Sequence, residues 1–176
     1  MIFDMTPIPT FSIPGNSKVF IFQSSRSFSP EEQSELLSQI QHFLKNWTSH
    51  GSQMQTECKI AFHRFIIIAI NDKPVYLSGC ATDALNRFII QLQLDFQVSL
   101  FDRMTICFWQ NDLKKIESIH LSNITPAISQ HLIKPQTLVF DNSCQTIDDL
   151  KSKWIQPLQQ TWMKKFLIEN NSSAHS

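Results

Sequence analysis

Residues 64 to 71 read RFIIIAIN, and no other stretch of the chain constrains its fold so tightly. The run from Phe65 to Ile70 is apolar without alternation, so neither face of it is left for water. A strand with that pattern lies inside a sheet and is covered on both sides. The run is also far too short to cross a bilayer, which takes about 20 apolar residues in a helix. The turn signal NDKP ends it.

The remaining elements are read around that central strand. KVFIFQS, at 18 to 24, and ECKIAF, at 57 to 62, predict two more strands. Between them, SPEEQSELLSQIQHFLKNW predicts a helix: Ser29 is a good N-cap, Pro30 fits the first helical position, and Glu31 and Glu32 suit the first turn. Leu36, Leu37, Ile40, Phe43, Leu44 and Trp47 recur at helical spacing and are read as core. TSHG closes the helix, with Gly51 free to turn left-handed. VYLSG predicts a further strand. ATDALNRFIIQLQLDF predicts a second helix with Leu85, Phe88, Ile89, Leu92 and Phe96 inward, and with Asp83 and Arg87 spaced to pair. DRMTICFWQ and KKIESIHL predict a hairpin about NDL. ITPAISQHLI is read as a short helix and QTLVFDN as a strand. TIDDLKSKWIQPLQQTWMKKFL is read as helical with a break at Pro157. Strands in runs with helices between them define an α+β class: a mainly antiparallel sheet with helices packed on it, in a single domain over residues 18–168. Residues 1–17 are expected to be extended and loosely held, and residues 169–176 disordered.

Lys and Arg balance Asp and Glu at 15 each, and only 17% of residues are charged. Such a chain has no long-range field to hold a polyanion, so no nucleic-acid partner is expected. A weakly charged surface favours self-association, and a homodimer or a protein partner is expected. Cys58, Cys80, Cys107 and Cys144 are widely spaced with no C-x-x-C pair, so neither a metal site nor a disulfide framework is expected. Reduced thiols point to the cytoplasm. The opening MIFDMTPIPTFSIPGNS lacks a basic start and is broken by prolines, unlike a signal peptide. No membrane association and no cofactor are expected.

The sharpest candidate for chemistry is Cys80, in VYLSGCATDALNRF. A thiol at a helix mouth gains thiolate character, and His50 or His63 would be its base if folding brought either near. The competing role for Cys80 is a small filler of the strand-to-helix corner, with Gly79 there because a Cβ would collide. Ser78, Thr82 and Asp83 crowd the same turn. They are candidates to hold a small anion, although capping by Thr82 or Asp83 explains them as well. Arg103, in FDR, is a candidate anion clamp, or else half of a surface ion pair. No paired acids at a working spacing, no H-E-x-x-H and no G-x-S-x-G occur.

The ordered set FQSSRSFSPEE, NWTSHG, HRFIIIAIND, SGCATDALNRF, LFDRM, TLVFDN and QPLQQTW resembles an uncharacterised protein family of Bacteroidetes, over residues 18 to 167. Members of that family often carry the label "ABC transporter ATPase". Such an ATPase needs G-x-x-x-x-G-K-[ST] to wrap phosphates in backbone N–H groups. The only glycines here are Gly15, Gly51 and Gly79, so no ATP hydrolysis is expected. Two functions follow from the sequence. One is a non-catalytic protein-interaction or self-associating module. The other is a small enzyme or ligand-binding protein with its site at Ser78 to Asp83, centred on Cys80.

Overall fold

A computed structural model describes residues 8–167 of the chain. The elements in order are β1 (Lys18–Gln23), α1 (Pro30–Asn46), β2 (Thr48–Ser49), β3 (Ser52–Gln53), β4 (Gln55–Ala61), β5 (Phe65–Asn71), α2 (Gly79–Phe96), β6 (Thr105–Gln110), β7 (Lys115–His120), α3 (Ile124–Ser129), β8 (Leu138–Phe140), α4 (Ile147–Lys153) and β9 (Ile155–Pro157). Helices packed on antiparallel sheets give the expected α+β class. The chain forms two compact units, one of residues 8–102 with 144–151 and the other of 103–143 with 152–167. The tail expected at 169–176 lies outside the described residues.

In the first unit the sheet order is β1-β5-β4. All seven residues of β5 are buried, as its unbroken apolar run requires. Pairing Phe22 with Ile66, and Ile60 with Ile66, puts Phe20, Phe22, Cys58, Ile60, Ile66, Ile68 and Ile70 on one face. That face meets Leu36, Ile40 and Leu44 of α1 and Leu85, Ile89, Leu92 and Phe96 of α2 in one core. Burying each of these side chains contributes about 1.5–3 kcal/mol before entropy is counted.

Helix α1 starts as its sequence dictates. Ser29 accepts from the Glu32 N–H, and the Glu32 carboxylate accepts from the Ser29 N–H, a complete capping box. Arg26 grips the same carboxylate with two bonds of 2.8 Å. Chiefly through Arg26, and then through the Ser29 N–H, the Glu32 pKa falls to about 2. Arg26 also donates to the Phe96 carbonyl at 2.8 Å, tying the start of α1 to the end of α2.

Three sequence readings change here. VYLSG forms no strand: Val75–Ser78 is an irregular approach to α2. The end of α1 is Trp47, and Gly51, at φ 76°, instead turns the β2–β3 hairpin together with His50. Residues 8–17 form neither helix nor strand, yet they are firmly held. The Glu57 carboxylate accepts from the Ser12 and Ile13 N–H groups at 2.8 and 2.9 Å, and Ile13 and Ser17 are buried.

In the second unit the sheet order is β7-β6-β8-β9. The β6–β7 hairpin runs from Thr105↔His120 to Gln110↔Lys115 about the expected NDL turn. Ile106, Phe108, Ile124, Val139, Leu158 and Met163 form its core. The long C-terminal helix expected from the sequence is absent. The segment instead becomes α4, then β9 paired with β8, then two short 3-10 turns. Pro157 sits opposite Leu138 at the end of an edge strand, a place where its missing N–H costs little.

Candidate functional site

The turn before α2 is built around two serines. The Ser49 hydroxyl donates to the Tyr76 carbonyl at 2.6 Å and accepts from the Ser78 N–H at 2.9 Å. Ser78 then caps the helix, accepting from the Ala81 N–H at 3.1 Å. Thr82 and Asp83 therefore do not cap it: the Thr82 hydroxyl donates back to the Ser78 carbonyl, and Asp83 points to solvent. Asp83 and Arg87 form no ion pair. Trp47 closes the joint from the other side, its Nε1–H donating to the Ala81 carbonyl at 3.0 Å in a buried position.

Gly79 and Cys80 differ from their expected roles. A Cβ on Gly79 would meet nothing within 4 Å, so no collision requires a glycine there. Cys80 is exposed rather than packed in the corner. It occupies the second residue of α2, and no hydrogen bond joins its thiol to another described residue.

The two candidate bases part company. His50 is exposed in the β2–β3 hairpin, whose Ser49 touches the Cys80 turn. His63 belongs to the other end of the unit. It sits in the β4–β5 turn, where its Nδ1–H donates to the Gln33 side-chain oxygen at 3.1 Å, beside the first turn of α1. The Cys80 turn lies beside the last residue of α1. Seventeen helical residues separate the two ends, a length of about 25 Å at 1.5 Å per residue. His63 therefore cannot serve Cys80. Arg103 is exposed and belongs to the second unit. Among the described residues no group of three His, Cys, Asp or Glu side chains is placed to hold a metal. No helix among them is long and apolar enough to cross a membrane.

An open groove of about 820 Å³ runs along the outside of α1 and α2. Its floor is Phe43 stacked flat on Phe88, 4.2 Å between centroids, and His42 and Asn46 stand on its rim. No carboxylate lines it.

The sheet edges carry a different feature. On the β1 side the chain is already partnered: the Val19 N–H donates to the Gln145 carbonyl and the Ile147 N–H to the Ser17 carbonyl. On the β4 side nothing among the described residues bonds the N–H and C=O groups that point away from β5. Every second residue of such a strand presents both groups outward. A groove of about 520 Å³, lined by Leu44 and Lys45 of α1 and by Met54 to Lys59, flanks this edge on its helix side. Lys59 is exposed and forms no ion pair, while Glu57 uses one carboxylate oxygen to hold Ser12 and Ile13. Cys58 lies between them, half-buried, and packing around its thiol pushes its pKa up to about 12 against a smaller opposing pull from Lys59.

Sequence reasoning passed over Glu57, Cys58 and Lys59. The one available signal was composition: ECKIA mixes charges into a strand adjoining the apolar β5, as an outermost strand does. The chain matches no protein-family model, no curated protein and no solved structure.

Proposed function

We propose that this chain is a non-catalytic module that associates with its own kind through an open sheet edge. The observation that supports this most is β4, a seven-residue outermost strand whose outward backbone groups are unpartnered among the described residues. A row of free donors and acceptors is a template for another strand. The strand carries no proline and no bulge, and among the described residues no helix pairs with or caps its outer backbone groups. A balanced formal charge leaves little repulsion between copies.

The reading of a small enzyme centred on Cys80 draws less support. The thiol has no bonded base, one of the two candidate histidines lies far from it, and Ser78 is spent on capping. Membership of the Bacteroidetes family that the ordered motifs resemble belongs to the proposal and brings no activity with it. So does a cytoplasmic location, which four free cysteines fit. Sedimentation equilibrium on the full chain tests the reading. The mean mass is expected to rise from one chain toward two with concentration, and a single-chain mass at every accessible concentration contradicts it.

A further inference from the structure

The sequence of β4 determines how two copies would meet. Strand β4 runs from Gln55 to Ala61, and its middle residue is Cys58. Antiparallel pairing of β4 with the β4 of a second copy, centred on Cys58, uses the whole strand: Gln55 faces Ala61, Thr56 faces Ile60, and Glu57 faces Lys59 in each direction. The same register that gives the greatest overlap therefore sets two opposite-charge pairs directly across from one another. Cross-strand neighbours of this kind approach to about 5 Å between Cβ atoms, and like charges placed there repel.

We infer that a second copy of this chain docks on β4 in this Cys58-centred register, giving a continuous six-stranded sheet from two three-stranded ones. The inference rests on the self-association reading above and names its contact. The twofold axis lies midway between the two Cys58 residues, perpendicular to the sheet, so Glu57 and Lys59 meet on the face away from the helices. Registers centred on Glu57 or on Lys59 oppose like charges. Those centred on Thr56 or Ile60 shorten the overlap and leave Glu57 and Lys59 without each other. Lys59 is thus selective: an edge lysine repels a strand that brings no acid and accepts one that does. Glu57 keeps a second carboxylate oxygen for this contact while the first holds Ser12 and Ile13.

The other long outermost strand, β7, does not offer the same pairing. Its Lys115 and Glu117 already form an ion pair with each other at 2.5 Å. Glu57 and Lys59, at the same spacing on β4, form none.

The test uses charge reversal on the full chain, read by sedimentation velocity. Lys59→Glu and Glu57→Lys each place two like-charge pairs across the interface, and each is expected to weaken the dimer roughly tenfold. Mixing the two variants restores both opposite-charge pairs in the heterodimer, so the mixture is expected to associate as the parent does. The double variant Glu57→Lys with Lys59→Glu should do so alone. Circular dichroism confirms that each variant is folded, and Lys59→Glu changes only an exposed side chain. Parent dimers that are indifferent to both reversals overturn the register and leave self-association standing. Weakening that mixing fails to restore also overturns the register. A parent that stays monomeric overturns both readings.

Discussion

Cys58 shows how a single residue ties packing to solution behaviour. Its thiol is held neutral by burial, with a pKa of about 12 against an ordinary 9.0. The folded chain therefore binds this proton more tightly than the unfolded chain does. The resulting stability is complete below pH 9 and is lost as pH climbs toward 12. The slope in that window approaches about 1.4 kcal/mol per pH unit. The informative quantity is a difference between the parent and a variant that lacks the thiol. Denaturant midpoints of the parent are expected to fall faster from pH 9 upward than those of Cys58→Val. Parallel curves would show that the thiol is not held neutral. Cys80 is the contrasting case: an exposed thiol at a helix mouth whose surroundings the sequence could not reveal, because no local pattern distinguishes a residue that fills a corner from one that faces water.

At the scale of elements, what the sequence showed and what it hid separate by the distance to the partner. Helix α1 was legible because its signals are local: Ser29, Pro30 and Glu32 act within one turn. The β6–β7 hairpin was legible for the same reason. Strand β5 was legible because burial on both faces leaves its mark on every residue. The approach to α2 reads as a strand because Val75–Leu77 has a strand's composition, whereas the Tyr76 carbonyl and the Ser78 N–H are taken by Ser49, 27 and 29 residues away. Helix-like spacing after Ile147 gave way to β9 because Pro157 finds β8, which nothing nearby announces. That Ser49 link yields a prediction. Its hydroxyl is buried and serves a carbonyl and an N–H together. Ser49→Ala should destabilise the chain by about 1–3 kcal/mol through the two groups left unpaired. Urea unfolding measures this, and a loss below a few tenths of a kcal/mol would mean that water replaces the hydroxyl.

At the scale of the whole molecule, the two edges of the β1-β5-β4 sheet differ. The β1 edge is closed by the chain's own segment at 145–147, whereas the outward backbone groups of β4 have no partner among the described residues, and Glu57 and Lys59 flank the strand's middle residue. Balanced charge and few glycines are visible in the sequence; that β4 is the outermost strand is hinted at only by the charges in ECKIA, since strand order depends on partners distant along the chain. In the proposed association, copies meet at this edge. The most direct measurement is amide hydrogen exchange of the peptide covering residues 55–61, followed as protein concentration is raised. Exchange in β4 is expected to slow with concentration, in step with the rise in mass, while exchange in the β6–β7 hairpin stays unchanged. Dimers that form while exchange in 55–61 remains independent of concentration would contradict it.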